Sequence, residues 1–250
     1  MNVFLSNDDG IESNGLLELA KRLKSKNNLL IVAPDGNRSV CSHSLTIRKP
    51  IMLTKCDALD GVECYKTSGT PVDCVKLLSH HFINFKADVV LSGINKAHNI
   101  GSDIFYSGTV AIAYEAAYYG YVAFAFSAYS LGESPFDVYA EYAERIIEKL
   151  YPISQKGTIW NINFPDVDKE IQGIKITKLG NRTYDDEYRR LDDEQFILHS
   201  TDVVLDECGC VDTDCDLYWV RKGYITVTPL VYDRTDYKIL EELKNKCIKL

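Results

Sequence analysis

The stretch NVFLSNDDGIESNGLLELAKRLKSKNNLLIVAPD, residues 2–35, decides the fold of this chain. Residues 2–6 and 28–35 are apolar runs of strand length, whereas residues 15–26 repeat their leucines at helical spacing. A strand, a helix and a second strand in this order are typical of parallel strands joined by a crossover helix. The first strand runs straight into a polar turn, a place where α/β proteins tend to carry their chemistry.

The same alternation continues outward through the first two thirds of the chain. Strands are predicted at residues 87–95, 121–129 and 158–165, and helices at residues 70–82, 107–120 and 136–151. Strands that are apolar along their whole length and separated by helices are typical of a parallel sheet with helices on both faces. Residues 51–67 depart from this pattern and predict a hairpin that turns at Asp60-Gly61.

The C-terminal third has a different texture. Short strands are predicted at residues 174–179 and 223–230, and a closing helix at residues 236–250. The polar residues between the two strands predict a protruding arm or hairpin at about residues 175–222. We therefore predict one α/β domain over residues 1–250, with a core of about residues 1–165 and a C-terminal β-rich extension.

The composition is that of an ordinary globular domain, with 46% hydrophobic and 26% charged residues. A formal charge of −8 argues against a protein that coats a nucleic-acid polymer, but not against a small phosphorylated ligand. The N-terminus lacks a signal-peptide pattern, and no stretch approaches the roughly 20 apolar residues that span a bilayer. We therefore expect a cytoplasmic protein with no membrane partner, whose eight cysteines are mostly reduced and buried.

Polar side chains follow each of the early strands. Asp8 and Asp9 come after the first strand, Ser39 after the second, and Asn95 and Asn99 after the third. Because the carboxyl ends of parallel strands lie along one edge of a sheet, we expect these loops to meet at one crevice. Carboxylate, hydroxyl and carboxamide oxygens suit Mg²⁺ or Mn²⁺ better than Zn²⁺ or copper.

The adjacent Asp8 and Asp9 admit two interpretations. Two carboxylates in one small volume repel each other unless a cation or a proton intervenes, which favours a metal site. Aspartate and glycine also form turns, and aspartate caps helices, so a structural role is an equal alternative for the pair alone. The prediction of one divalent cation therefore depends on the presence of oxygen-bearing side chains after all three strands.

A second polar group, Ser107-Gly108-Thr109, stands immediately before a predicted helix. Hydroxyls and free backbone N–H groups at a helix N-terminus form a ready anion site. The alternative is an ordinary helix cap followed by glycine, and without further context that alternative is favoured. The chain contains no G-x-G-x-x-G, Walker A or G-x-S-x-G motif, which disfavours a dinucleotide site, a P-loop and an ordinary serine hydrolase.

Three cysteines form a loose cluster in an acidic loop, at Cys208, Cys210 and Cys215. Without a matching partner pair they are a weak signal for zinc. We favour buried or incidental thiols, and the sequence leaves their role open.

Six blocks of the sequence resemble the signature of a known family. They are NDDG, RSVCSHSLT, SGTPVDCV, SGINKAHNIGSDIFYSGTVAIAYEA, NINFP and GYITVTPL, in order from residue 2 to about residue 233. Together they are similar to SurE, the survival-protein family of metal-dependent 5′-nucleotidases. The block at residues 92–115 is highly specific, whereas NDDG alone is weak. The similarity covers most of the chain.

The resemblance implies a Rossmann-like core and a C-terminal extension used to form a homodimer or homotetramer. It implies an enzyme that hydrolyses nucleoside 5′-monophosphates to nucleoside and phosphate, with 3′-nucleotides and short polyphosphate as further candidate substrates. It carries the divalent metal ligands of the family onto Asp8, Asp9, Ser39 and Asn95, which the strand ends also select. It carries substrate contacts onto Asn99, Ser107, Gly108 and Thr109.

The chain departs from the family pattern in three places. Residues 38–42 read RSVCS where the family usually has RSGAS, and Ala97 stands where the family usually has glycine. Tyr237 stands where members often carry a histidine. The first two changes are expected to reshape the rim of the pocket, and the third puts a C-terminal histidine role in doubt.

Hydrolysis of a phosphate monoester needs a cation that neutralises phosphoryl oxygens and a water oriented for in-line attack. We expect Asp8 and Asp9 to be catalytic as well as ligating, with Asp8 favoured as the proton acceptor. Arg38 is a lesser candidate for phosphate binding, and His43 for orienting a ligand.

Two rival functions use other chemistry. An aspartyl-phosphate route is disfavoured, because the enzymes that use it have one residue between their two aspartates, whereas Asp8 and Asp9 are adjacent. A non-enzymatic nucleotide-sensing or assembly protein on the same fold is the other alternative, although all four ligand types are present.

Overall fold

The strands and helices follow the alternation that the sequence predicts. In the computed structural model, described for residues 1–129, 136–166, 169–202 and 212–246, the strands are β1 (Asn2–Ser6), β2 (Asn28–Pro34), β3 (Leu53–Cys56), β4 (Glu63–Thr67), β5 (Val89–Asn95), β6 (Val122–Ala128), β7 (Ile159–Phe164), β8 (Gly173–Ile176), β9 (Tyr184–Arg190), β10 (Phe196–Asp202) and β11 (Tyr224–Leu230). The α-helices are α1 (Asn14–Leu23), α2 (Pro71–Ser79), α3 (Gly108–Tyr118), α4 (Phe136–Leu150), α5 (Asp216–Arg221) and α6 (Tyr237–Asn245).

Nine of the described strands form one sheet, in the order β3-β4-β2-β1-β5-β6-β7-β11-β8. Neighbouring strands from β4 to β7 are parallel, whereas β3 and β11 run antiparallel to β4 and β7. The chain leaves β1 for β2 on one side and later returns to β5 on the other, so the strand order reverses at β1. The predicted α/β fold with a mostly parallel sheet is confirmed. Ligands of such sheets bind outside the carboxyl ends of the strands at the point of reversal.

Helices cover both faces of this sheet. On one face, Leu16 of α1 belongs to the same buried cluster as Leu5 of β1. On the other face, Leu78 of α2 and Ile112 of α3 cluster with Phe4 of β1. Phe4 and Leu5 are fully buried on opposite faces, which explains why β1 is apolar throughout. Burial of side chains of this size contributes roughly 1.5–3 kcal/mol each.

The hairpin predicted at residues 51–67 forms where the pattern changed. Strands β3 and β4 pair antiparallel, and Asp60-Gly61 lies in their connection. Gly61 has a φ of +73°, a backbone conformation that favours glycine over residues with a Cβ. The hairpin extends the sheet at the edge beyond β2, so β1 and β5 remain direct neighbours.

Strands β9 and β10 form a separate two-stranded sheet, which we call the arm hairpin. Its antiparallel register places Ser200 opposite Asp186 and Leu198 opposite Tyr188. The arm hairpin falls inside the arm predicted from the sequence, while the boundaries of core, arm and domain stay a prediction.

The segment that carries the arm hairpin is held at its base by Asp216, the first residue of α5. The N–H of Asp216 donates to the carbonyl oxygen of Lys178 (2.9 Å). Its buried carboxylate accepts from the N–H of Gly180 (2.8 Å) and from the N–H of Gly101 (2.9 Å). One side chain therefore joins the start of the arm segment, its end and the loop after β5.

Two of the three clustered cysteines, Cys208 and Cys210, lie outside the described residues. Cys215 is buried, and its thiol donates to the carbonyl oxygen of Asp212 (3.0 Å). Across the described ranges, no helix is long and apolar enough to cross a membrane.

Candidate active site

The turn after β1 is closed by Asn7, a side chain that the sequence pattern does not single out. Asn7 is buried, accepts a hydrogen bond from the N–H of Gly10 (3.1 Å) and donates to the Gly10 carbonyl oxygen (3.0 Å). Gly10 has a φ of +103°, and a Cβ there would lie 3.1 Å from the backbone of Gly36. Asn7 and Gly10 thereby fix the direction in which Asp8 and Asp9 leave the strand.

Asp8 is buried against the N-terminus of α3. Its Oδ1 accepts a hydrogen bond from the hydroxyl of Thr109 (2.6 Å). A Cβ on Gly108 would lie 2.7 Å from the Asp8 Cβ and 2.8 Å from its Oδ2, so only glycine lets the carboxylate approach the helix. Burial raises the pKa of Asp8 to about 6 and the charge of Asp9 adds to the rise, while the hydrogen bond from Thr109 acts in the opposite direction.

Asp9 is partly buried and carries an unsatisfied oxygen. Its Oδ2 is shielded from solvent and has no hydrogen-bond partner within the described part of the chain. Burial raises the pKa of Asp9, and the nearby Lys96 lowers it. A shielded carboxylate oxygen without a partner is costly, so this atom is the feature of the site that most requires a cation or a proton.

Ser39 lies in the loop after β2, which is anchored to the elements around Asp8. The N–H of Arg38 donates to the carbonyl oxygen of Asp8 (2.6 Å). The hydroxyl of Ser42 donates to the carbonyl oxygen of Phe105 (2.6 Å). The Ser39 hydroxyl itself donates to Asn37 Oδ1 (2.5 Å), which leaves its oxygen lone pairs available to a ligand.

Asn95 ends β5 on the opposite side of the β1 carboxyl end. Its side-chain amide donates to the carbonyl oxygen of Ala97 (2.8 Å), and this contact orients the carboxamide so that Oδ1 is left as an acceptor. Gly93 makes the close β5–β6 contact possible, because a Cβ there would lie 2.3 Å from the carbonyl oxygen of Phe126.

Asn99 is held by a buried polar network that the sequence analysis does not predict. Its side-chain amide donates to Ser127 Oγ (2.7 Å), and its N–H donates to Asn163 Oδ1 (2.8 Å). Its carbonyl oxygen accepts from the side chains of Asn161 (2.8 Å) and Asn163 (3.1 Å). Side chains from β6 and β7 therefore fix the loop after β5, although nothing local in the sequence signals these contacts.

These residues surround one cavity of about 740 Å³ at the carboxyl edge of the sheet. From the predicted set, the cavity is lined by Asp8, Asp9, Ser39, Asn95, Asn99 and Ser107. The arm hairpin adds Tyr184, Asp186, Leu198 and Ser200 to the lining. The four predicted metal ligands thus share one cavity, and their role as ligands stays a prediction.

The donor set fits a hard divalent cation. Within the described ranges, no group of three or more His, Cys, Asp or Glu side chains forms a metal site. The candidate set instead combines two carboxylates with a hydroxyl and a carboxamide, all of them oxygen donors. The unpartnered Oδ2 of Asp9 is the observation that supports this fit.

Comparison with known proteins decides the family. A sequence model of the family described as Survival protein SurE matches residues 3–186. The chain belongs to the SurE family. A protein of Clostridium botulinum named 5′-nucleotidase SurE is 38% identical, and the alignment covers 97% of both chains. A protein of Thermoanaerobacter with the same name is 37% identical, with 100% of both chains covered.

A solved SurE structure has the same fold as this chain. The crystal structure of the SurE protein from Aquifex aeolicus superposes with a TM-score of 0.84 at 35% identity, and the match covers 98% of this chain and 99% of that one. The SurE resemblance predicted from the six sequence blocks is confirmed.

Within this SurE chain, the residues before α3 divide between two tasks. Ser107 lines the cavity, and its hydroxyl caps α3 by accepting from the N–H of Val110 (3.0 Å). Gly108 and Thr109 are buried behind Asp8 and are not part of the cavity lining. Their predicted substrate contacts stay a prediction, whereas their contacts with Asp8 are part of the structure.

Two lesser candidates lie away from the cavity lining. The guanidinium of Arg38 pairs with the carboxylate of Asp35 (2.7 Å). Nε2 of His43 lies 2.8 Å from Oε2 of Glu115, a buried carboxylate that also binds Nζ of Lys76 (2.6 Å). His43 thus tethers the loop that carries Ser39 to α3, a contact that links residues 72 apart in the sequence.

Proposed function

We propose that this chain is a divalent-metal-dependent 5′-nucleotidase that hydrolyses nucleoside 5′-monophosphates to a nucleoside and inorganic phosphate. The observation that carries the proposal is the pair Asp8 and Asp9 in the lining of the 740 Å³ cavity, with one carboxylate oxygen that has no partner among the described residues. The name of its SurE relatives supports the same reaction.

The residues that would hold one cation, Mg²⁺ or Mn²⁺, are Asp8, Asp9, Ser39 and Asn95. When bound, the cation neutralises phosphoryl oxygens and lowers the pKa of a ligated water. The two carboxylates match its double charge, and the hydroxyl and carboxamide add neutral oxygens. This set is supported by its shared cavity and by the unpartnered oxygen of Asp9.

We assign Asp8 as the group that accepts a proton from the attacking water. The hydroxyl of Thr109 takes one lone pair of Oδ1, so the carboxylate keeps acceptor sites on both oxygens for the cation and for the proton. Gly108 packs against the same carboxylate and restricts its movement. A positioned acid or base of this kind contributes roughly 10²–10⁴-fold to a rate.

The remaining phosphoryl oxygens are assigned to the N-terminus of α3. Backbone N–H groups and the helix dipole favour an anion there, and Ser107 lines the cavity at this point. Asn99, fixed by Ser127 and Asn163, is assigned to the substrate from the other side. The cavity volume lies within the roughly 300–1,000 Å³ of typical small-molecule sites.

The proposal is tested by phosphate release from purified protein. AMP and GMP are incubated with Mg²⁺ or Mn²⁺ and, in parallel, with EDTA. We expect turnover with either cation and none with EDTA. Assays of 3′-nucleotides and short polyphosphate define the further substrates. Binding of nucleotide without release of phosphate, at any metal concentration, would instead support the non-enzymatic alternative, which none of the comparisons favours.

A homodimer or homotetramer in the cytoplasm is proposed as the working state. Apolar side chains of the arm hairpin are exposed, among them Tyr188, Phe196 and Ile197. Helix α6 buries none of its side chains within the described structure. Exposed apolar surface on two elements supports association with a second copy. Light scattering on the full chain measures the state directly, and a monomer at micromolar concentration contradicts it.

A further inference from the structure

The cavity extends beyond the proposed phosphate site onto one face of the arm hairpin. Tyr184 and Asp186 stand two residues apart on β9, and Leu198 and Ser200 two residues apart on β10. Side chains two residues apart on a strand point to the same face. All four line the cavity, so one face of the arm hairpin forms part of the cavity wall.

This wall is fixed to the rim by an ion pair and two further contacts. Nη1 of Arg182 lies 2.5 Å from Oδ2 of Asp103, and the Tyr184 hydroxyl donates to Oδ1 of the same carboxylate (2.8 Å). The hydroxyl of Ser102 donates to the carbonyl oxygen of Arg182 (2.7 Å). Arg182 also lies over the Tyr184 ring, 5.1 Å from its centroid. These contacts join the arm hairpin to the loop after β5, which also carries Asn99.

Asp186 is the acidic side chain of this wall. The hydroxyl of Ser200, directly across the hairpin, donates to Oδ1 of Asp186 (2.5 Å). This contact orients the carboxylate and leaves further acceptor sites on both oxygens. Asp103, by contrast, is already engaged by Arg182 and Tyr184. Asp186 thus offers the cavity an oriented acceptor that is carried by the arm hairpin and not by the sheet edge that carries the predicted metal ligands.

We propose that the wall formed by Tyr184, Asp186, Leu198 and Ser200 is the nucleobase subsite, and that Asp186 selects guanine. The inference rests on the proposed function, because it assumes that the phosphate occupies the rim. Tyr184 and Leu198 supply apolar surface for the base, and the carboxylate of Asp186 accepts its N–H groups.

Guanine is favoured because of the arrangement of its donors. It presents a ring N–H beside an exocyclic amino group, and a carboxylate can accept from both at once. Adenine and cytosine each place an amino group beside a ring nitrogen acceptor, so they offer one favourable contact and one repulsive one. Uracil flanks its single N–H with two carbonyl oxygens, which the carboxylate repels. The expected order is therefore guanine first and uracil last.

The test compares kcat/KM for GMP, IMP, AMP, CMP and UMP in the wild type and in Asp186→Asn. IMP lacks only the exocyclic amino group of GMP, so it isolates the second hydrogen bond. We expect the wild type to prefer GMP over IMP by roughly tenfold or more, the range of one hydrogen bond to a charged group. Asp186→Asn should reduce that preference to within about threefold.

Two controls separate base recognition from other effects. Asp185→Asn changes the neighbouring aspartate on the opposite face of β9 and should leave the order of nucleotides unchanged. Hydrolysis of p-nitrophenyl phosphate, which has no base, should be equal in all three proteins. Unchanged nucleotide ratios in Asp186→Asn, or an equal preference of the wild type for all bases, overturns the inference.

If neither the nucleotides nor p-nitrophenyl phosphate is hydrolysed, the proposed function fails. Calorimetric titration with GMP and IMP then decides the base subsite independently of turnover. Tighter binding of GMP that is lost in Asp186→Asn supports the subsite, and equal binding of the two nucleotides rules it out.

Discussion

The rim of the sheet and the arm hairpin line the same cavity, but they are built in opposite ways. Asp8, Asn95 and Asn99 are 3%, 9% and 5% exposed, and buried hydrogen bonds or backbone contacts fix each of them. In the arm hairpin, Leu198 is 47% exposed and the two strands pair only with each other in the described structure. Changes at the rim should therefore affect every substrate, whereas changes in the arm hairpin should affect the choice among substrates.

Asp9→Asn should have the largest effect at the rim. The substitution keeps the shape of the side chain but removes one charge from the proposed metal site. We expect kcat/KM to fall by roughly a thousandfold for every nucleotide, because a bound cation contributes several kcal/mol to the transition state. Asp60→Asn, in the distant β3–β4 turn, is the matched control and should retain full activity. A variant at position 9 that hydrolyses GMP normally removes Asp9 from the site.

Gly108→Ala tests whether the rim depends on close packing. The new Cβ would meet Asp8 at 2.7 Å, so either the carboxylate or α3 must move. A displacement of about 1 Å at a catalytic group costs roughly a hundredfold in rate. Gly36→Ala is the control, because its nearest neighbour is an Arg38 side-chain atom at 3.8 Å. Equal activity of the two variants, measured on GMP, shows that the contact at Gly108 is dispensable.

The raised pKa of Asp8 predicts a pH dependence of the metal-free protein. A carboxyl whose pKa is raised to about 6 on folding stabilises the fold below its unfolded pKa, and this stabilisation is lost as the pH rises through 6. In EDTA we expect the free energy of unfolding to be about 2 kcal/mol lower at pH 7.5 than at pH 4.5 on this account.

Urea denaturation of wild type and Asp8→Asn measures this difference. The variant lacks the titrating group, so its stability should change less over the same interval, and Mg²⁺ should restore the wild type at pH 7.5. Parallel pH curves for the two proteins contradict the assignment.

Thr109→Val tests whether Thr109 positions the proposed ligand Asp8. It removes the hydroxyl that binds Asp8 and nearly preserves the volume of the side chain. Loss of such a supporting contact typically costs about 10–100-fold in metal affinity or activity, and we expect the lower end of this range. Thr109→Ser, which keeps the hydroxyl, should remain close to wild type. Mn²⁺ titration reports affinity separately from turnover, and an unchanged affinity and rate in Thr109→Val would falsify the positioning role.

Tyr184→Phe changes the arm hairpin and should have the smallest effect of the five changes. It removes the hydroxyl that donates to Asp103 but keeps the ring and the Arg182–Asp103 ion pair. We expect hydrolysis of p-nitrophenyl phosphate to be unchanged, and the preference among nucleotides to shift by no more than about threefold, because the Arg182–Asp103 ion pair still holds the arm hairpin and little of the lost hydrogen bond reaches the substrate. A uniform loss with all substrates means that the arm hairpin supports the chemistry as well.

The sequence predicts the residues at the rim better than it predicts the contacts that hold them in place. Asp8, Asp9, Ser39 and Asn95 are recognisable because each follows an apolar strand, and the topology of a parallel sheet brings strand ends together. The hydrogen bond between Thr109 and Asp8 joins residues that are 101 apart in the sequence, and no periodicity of the sequence indicates such a contact. The turn before α3 therefore resembles a phosphate site, although its threonine is engaged by an aspartate.

The C-terminal part is harder to predict, because contacts between residues distant in the sequence also determine its structure. Helix α5 has six residues, too few for a periodic pattern to be recognised, and its first residue Asp216 acts through contacts with Gly101 and Gly180. The arm hairpin is polar and exposed, so its strands can be predicted but the surface they face cannot. The orientation of the arm hairpin depends on the contacts of Arg182 and Tyr184 with Asp103, which form only in the folded chain.

The arm segment between Gly180 and Asp216 can be replaced as a unit, because Asp216 holds both of its ends. Because residues 178–180 and 216 are hydrogen-bonded to each other, the intervening chain closes a loop whose ends the rest of the protein already holds. Doubling the length of such a loop costs only about 0.6 kcal/mol. Transplanting a different hairpin between these two anchor points therefore offers a route to new substrate preferences with the hydrolytic machinery left untouched.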